Sequence, residues 1–237
     1  MSSIHQLVNE IGKLPRDWHK VGSVSPEVLR AIAKHLEDRS VFHSMETGSG
    51  KTTLLFSHLS QNHKVFAIND YKDIDTNSIT AVRTSDLFNR ATVEFIEGPT
   101  QLTLPRYNFE HKLQVAYIDG PHGYPFPDME YYYIYPFLEE NSLLIVDDIH
   151  IPTIHHLFNF LKEDEMFSFL EVVDNTAFFQ RTSAPLFDPY LDGWWLQNYN
   201  KKHFPIERGG IPALKRKVKS WVPLPIKNKL KQVLARS

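Results

Sequence analysis

Residues 41–53 read VFHSMETGSGKTT. An apolar, β-prone run over Val41–Glu46 ends on an acidic residue, passes through Gly48-Ser49-Gly50 and opens a helix expected over Thr52–Ser60. Gly48 and Gly50 let the backbone approach a ligand closely and adopt conformations closed to other residues. By itself a strand–glycine–helix turn serves as well for a tight connection as for a binding loop, so its surroundings decide.

Around it, short apolar runs alternate with helical stretches. Further strands are expected at Lys64–Asn69, Thr92–Glu97, Leu113–Asp119 and Ser142–Asp147, and helices at Thr76–Phe88, Pro127–Leu138 and Pro152–Lys162. Strands separated by helices imply parallel units with right-handed crossovers. The rhythm then changes. Phe167–Val173 and Thr176–Arg181 flank a turn at Asp174-Asn175 and predict a hairpin. The expected class is α/β: a Rossmann-like seven-stranded sheet, mostly parallel with a C-terminal antiparallel hairpin, and helices on both faces.

Before this core, Ile4, Leu7, Val8 and Ile11 follow helical spacing, Pro15 breaks it, and Ser25-Pro26 starts a second helix with Val28, Leu29, Ile32, Ala33 and Leu36 on its apolar face. After Arg181 the pattern gives way to Pro, Gly and aromatic residues, including Trp194-Trp195. Three segments are therefore expected: a helical extension over 1–40, a ligand-binding α/β domain over 41–182, and a C-terminal extension over 183–237. The Tyr131-Tyr132-Tyr133-Ile134-Tyr135 run reads as a helix packed on the sheet with some rings exposed.

With 237 residues, 42% of them hydrophobic and 23% charged, the chain can bury a substantial core. It has no cysteine, which excludes disulfides, thiolate metal sites and a Cys nucleophile. No apolar stretch approaches the ~20 residues that span a bilayer, and the N-terminus does not read as a signal peptide, so a cytoplasmic location is the default. The net charge of -2 hides an asymmetry. From Ala213 onward there are eight basic residues and no acidic one, an amphipathic stretch suited to an anionic membrane surface. Nucleic acid is not an expected partner, because the basic residues are confined to this tail and no recognition motif occurs. The sequence leaves open whether the chain forms a homo-oligomer.

Gly50-Lys51-Thr52 also resembles the end of a phosphate-binding P-loop. That loop needs a glycine five residues before Gly50, so that successive N–H groups wrap the phosphates. Met45 stands there, inside the strand, and the loop is too short. The nucleotide-binding enzyme is therefore the weaker reading.

The other strand ends place polar groups where ligands bind in open α/β sheets, at the carboxyl ends near the point where strand order reverses. Asn69 and Asp70 end the second strand and can hold ribose hydroxyls, and Glu97-Gly98 end the third. Asp119 ends the fourth within VAYIDGPHGY, residues 115–124, and Asp147-Asp148 end the fifth within LLIVDDI, residues 143–149. Three converging carboxylates repel unless protonated or bound to a cation, and oxygen ligands favour magnesium, calcium or manganese.

These features together resemble the class I S-adenosylmethionine-dependent methyltransferases. The Asp119-Gly120-x-His122-x-Tyr124 pattern, with Asp147-Asp148 on the next strand, resembles the family that includes the macrolide sugar O-methyltransferases and, more distantly, the catechol-type enzymes. The resemblance covers about Val41 to Arg181. It implies a methyltransferase sheet, S-adenosylmethionine as cofactor and a hard divalent cation such as Mg2+. It further implies that Glu46, Thr47, Gly48, Gly50, Thr52, Asn69, Asp70, Glu97, Gly98 and Asp119 hold the cofactor and that Asp119, Asp147 and Asp148 hold the metal. His122 would be the general base, with Asp119 beside it. Asn69 departs from the pattern, where the family usually has an acidic residue. The implied acceptor is a hydroxyl on a sugar or other small polyhydroxylated molecule, free or in a glycan. A non-catalytic binding module on the same fold is a further alternative. His150, His155 and His156 show no ligand spacing and are read as structural.

Overall fold

The computed structural model describes residues 2–18, 23–69 and 77–204. Asp70, the expected start of a helix at Thr76 and the basic stretch after Ala213 fall outside the described residues. Met1–Tyr199 form one compact unit and Asn200–Ser237 a second; the site described below belongs entirely to the first.

Two helices precede the sheet: α1, Ser2–Lys13, and α2, Pro26–Leu36. Ser25 caps α2, its Oγ accepting from the Val28 amide at 3.2 Å, with Pro26 in the first turn. The sheet then follows the expected alternation. Strand β1 is Val41–Thr47, followed by α3, Lys51–Leu59, and β2, Ser60–Ala67. Next come α4, Ser78–Thr84, β3, Val93–Glu97, the short α5, Thr100–Thr103, and β4, Leu113–Ile118. Helix α6, Phe126–Ile134, leads to β5, Leu138–Val146, and α7, Pro152–Glu163, to the hairpin β6, Phe167–Val173, and β7, Thr176–Arg181. A short α8, Asn198–His203, ends the described chain.

All seven strands form one sheet in the order β3-β2-β1-β4-β5-β7-β6. Pairing is parallel from β3 through β5, and β7 runs antiparallel between β5 and β6. Strand order reverses between β1 and β4, which places Thr47 and Asp119 at adjacent C-terminal ends.

Side-chain alternation builds two cores, one on each face. Val115, Tyr117, Leu143, Ile145 and Phe178 face α1, α2 and α3, while Ala116, Ile118, Leu144, Val146 and Phe179 face α6 and α7. Each fully buried aliphatic side chain stabilises the fold by roughly 1.5–3 kcal/mol. The helical extension is part of this packing, since Val8, Ile11, Leu29 and Ile32 are buried in the first core.

The boundaries differ from expectation in places. Strand β5 begins at Leu138, four residues before Ser142, because Glu139, Glu140 and Asn141 project beyond the covered part of the sheet and mask the apolar signal. Strand β2 likewise begins at Ser60, where Gln61 and Asn62 are exposed. Helix α4 is shorter than the expected 76–88. It starts after Asn77, whose side chain accepts from Ile79 and Thr80, and stops before Ser85. In the tyrosine run, Tyr131 and Tyr135 are buried and Tyr132 is exposed, as a helix on the sheet requires.

Candidate active site

The C-terminal ends of β1, β4 and β5 open into a cleft of about 810 Å³. Gly48, Gly50, Thr52, Asp119, His122, Asp147 and Asp148 all line it. The edge toward β2 and β3 holds two further predicted positions. There the Asn69 amide donates to Glu97 Oε2 at 2.6 Å, and Arg83 reaches Glu97 Oε1 at 2.8 Å. Asn69, Glu97 and Gly98 do not line the cleft itself.

The glycine loop is fixed by its neighbours. The Gly48 amide donates to Phe66 O at 2.9 Å, and its φ is +83°, a conformation that favours glycine. A Cβ at Gly48 would collide with the carbonyl oxygen of Asp119, so β1 and β4 approach this closely only with glycine there. Glu46 turns away from the cleft. Its buried carboxylate accepts from Thr52 Oγ1 at 2.7 Å and from the Thr53 hydroxyl, and lies 3.2 Å from His63 Nε2. It thus ties the end of β1 to the first turn of α3.

Asp119, His122 and Asp148 come together. His122 Nε2 lies 3.8 Å from Asp119 Oδ1 and 3.3 Å from Asp148 Oδ2, and one ligand atom from each of the three falls within 4.8 Å of the others. Burial pushes the Asp119 carboxyl up, offset in part by His122, while Asp119 raises the His122 imidazole. Asp148 has φ +53°, a strained backbone position for a non-glycine residue that turns its carboxylate toward His122. The Thr153 hydroxyl holds the His122 carbonyl.

Asp147 is differently placed. Its carboxylate is buried and accepts from Tyr117 Oη at 2.5 Å, Thr176 Oγ1 at 2.6 Å and the Asp148 amide at 2.9 Å. It stands behind Asp148 and fixes the strand end, although it also borders the cleft. Burial is the largest influence on it and raises its pKa.

Behind the Asp119 loop lies Glu130 of α6, which is fully buried. Its Oε2 accepts from Thr47 Oγ1 at 2.8 Å, and that same Thr47 oxygen accepts from the Asp119 amide at 2.9 Å. Oε1 lies against Gly120, where any Cβ would clash. Desolvation pushes the Glu130 carboxyl up to about 7, with Thr100, Thr47 and the Gly120 amide offsetting only part of the effect.

Several cleft residues carry no recognisable signal in the sequence. The α1–α2 connection supplies Arg16 and Ser23–Ser25, and the β6–β7 turn supplies Asp174-Asn175. Ser25 Oγ donates to Asp174 Oδ2 at 2.5 Å, which joins these two walls. His150 also lines the cleft, 3.6 Å from Asp148 Oδ1, in contrast to the structural role read from sequence. His155 bonds the Ile149 carbonyl at 3.1 Å, and His156 faces Asp128 at 3.9 Å.

Residues 45–149 match the family described as "Methyltransferase domain". No curated protein matches the chain. Among solved structures, a protein from Staphylococcus aureus assigned as a caffeoyl-CoA O-methyltransferase is similar at a TM-score of 0.57 and 16% identity, covering 76% of this chain and 93% of that one. The O-methyltransferase TomG from Streptomyces achromogenes, solved with SAM, is similar at 0.54 and 11%, covering 75% and 90%. An O-methyltransferase from Bacillus cereus, solved with SAH, is similar at 0.53 and 13%, covering 77% and 91%. The expected methyltransferase sheet is thus borne out, including its antiparallel C-terminal pair. Among the described residues, no helix is long and apolar enough to cross a membrane.

Proposed function

We propose that this chain, whose residues 45–149 match a methyltransferase domain family, transfers the methyl group of S-adenosylmethionine to a hydroxyl of a sugar or other small polyhydroxylated acceptor, assisted by a hard divalent cation. The observation that carries this reading is the meeting of Asp119, His122 and Asp148 in the same cleft as the glycine loop Gly48–Thr52.

The donor set suits such a cation. Asp119 and Asp148 offer carboxylate oxygens that converge within 4.8 Å beside His122, and such oxygen donors favour magnesium or manganese. Asp119 and Asp148 would hold it, with Asp147 fixing Asp148 from behind. Once bound, the ion would lower the pKa of a nearby hydroxyl. The cofactor would supply an electrophilic methyl on a good leaving group, so the protein's task is chiefly alignment.

His122 would accept the hydroxyl proton at Nε2, with Asp119 stabilising the resulting imidazolium. The loop Gly48–Thr52 would seat the cofactor, and Asn69 with Glu97 would hold its ribose in place of the acidic residue usual at that strand end. Thr47 and Glu130 would act from behind, fixing the Asp119 amide.

Labelled-methyl transfer from S-adenosylmethionine to a panel of sugars and polyols tests this reading. Product is expected with magnesium present, with loss of about 10²-fold or more on chelation and recovery when the metal is restored. Transfer that is indifferent to chelation would remove the cation from the scheme. No transfer to any hydroxyl, despite cofactor binding, would favour the non-catalytic binding module.

A further inference from the structure

Lys51 belongs to the Gly50-Lys51-Thr52 motif; a P-loop would set this lysine on a phosphate, but the methyltransferase scheme gives it no task of its own. Its position is unusual for a lysine. It begins α3, is only 4% exposed and lines the cleft. Lysine is almost never buried without a paired group, because removing an ammonium from water is costly. Its Nζ donates to the Leu14 carbonyl at 2.7 Å, a neutral acceptor just beyond the end of α1. Among the described residues no carboxylate lies within ion-pair distance of it.

Among the described residues, the charge that acts on Lys51 is of the wrong sign. Arg16 lines the same cleft and is close enough to disfavour the Lys51 ammonium; burial, the larger effect, pulls the lysine below its usual range, and Arg16 adds to it. Arg16 likewise has no carboxylate within ion-pair distance among the described residues. Two cations without a counter-ion therefore border a cleft that already holds Asp119, Asp148 and Asp174. Asp119 and Asp148 face His122 and His150, and Asp174 accepts from Ser25 Oγ, so among the described residues none of the three forms an ion pair with Lys51 or Arg16.

We propose that Lys51, with Arg16, receives an anionic group of a ligand bound in the cleft. The shared chemistry is a carboxylate or phosphate oxygen, and two sources supply it: the carboxylate at the amino-acid end of the cofactor, or an anionic substituent on the acceptor. The first source rests on the methyltransferase reading and the second does not. A purely structural Lys51, capping the Leu14 carbonyl, would instead affect stability alone.

The test is calorimetry on the full chain with three probes: S-adenosylhomocysteine, 5′-methylthioadenosine, which lacks the amino-acid end, and inorganic phosphate. Wild type, Lys51→Met and Arg16→Gln are compared. Lys51→Met is expected to weaken S-adenosylhomocysteine by about tenfold or more while 5′-methylthioadenosine changes less than about twofold. Arg16→Gln, at an exposed residue that does not threaten folding, is expected to act in the same direction by about threefold. If S-adenosylhomocysteine is unchanged but phosphate binding is lost in Lys51→Met, the anion belongs to the acceptor and the proposal still holds. If the wild type binds neither nucleoside, the methyltransferase reading fails and the phosphate comparison alone decides. All three probes unchanged by both variants, or weakened equally in Lys51→Met, would overturn the proposal and leave Lys51 a structural residue.

Discussion

Replacing His122 with alanine is expected to slow methyl transfer by about 10²- to 10⁴-fold, the usual contribution of a positioned general base. Affinity for S-adenosylhomocysteine should stay within about twofold, because a base acts on the acceptor rather than on the cofactor. The geometry supports this separation. His122 sits on the exposed loop after β4, its Nε2 held between Asp119 and Asp148, while the glycine loop proposed to seat the cofactor is fixed independently through Phe66, Thr53 and Glu46. In the proposed scheme Asp119 stabilises the protonated imidazole, so Asp119→Ala is expected to lose at least as much transfer as His122→Ala. Parallel kinetics of wild type and His122→Ala, with the acceptor saturating, would check this. A rate within about threefold of wild type would remove His122 from the chemistry.

The second large effect is on stability. Burial raises the Glu130 carboxyl from its ordinary 4.5 to about 7. Below about pH 4.5 the group is protonated in both folded and unfolded chains and contributes no pH dependence. As pH rises from 4.5 to 7, the unfolded chain releases this proton while the folded one keeps it. Stability therefore falls across that window and levels off above it, at a cost of about 3 kcal/mol. Glu130→Gln is neutral at every pH and keeps an oxygen to accept from Thr47. In urea unfolding it is expected to match wild type near pH 4.5 and to exceed it by about 3 kcal/mol at pH 8. An equal difference at both pH values would mean that Glu130 ionises as freely in the folded chain as in the unfolded one.

The sheet was legible because both its faces are covered, so each central strand is a nearly continuous apolar run. Leu143–Val146 and Val115–Ile118 show this most clearly. The start of β5 was not legible, since Glu139 is only half-buried and Glu140 and Asn141 are exposed there, which breaks the apolar run. At the site, Asp119, His122 and Asp148 could be singled out because they end adjacent strands or follow one closely. The partners of Asp147 could not. Tyr117 and Thr176 lie about thirty residues to either side, and only the pairing of β5 with β4 and β7 brings them to its carboxylate. The cleft walls at Arg16, Ser25 and Asn175 were hidden for the same reason. Glu130 reads in sequence as a polar position beside a tyrosine run, and only the close approach of α6 to Gly120 buries it.

The most direct test of the central claim is calorimetric titration of the full chain with S-adenosylhomocysteine, with ATP run in parallel. The glycine loop, too short to wrap a phosphate chain and pressed against Asp119, predicts micromolar-range binding of S-adenosylhomocysteine and no heat from ATP. Tight ATP binding without S-adenosylhomocysteine binding would contradict the methyltransferase account and return Gly50-Lys51-Thr52 to a phosphate-binding role.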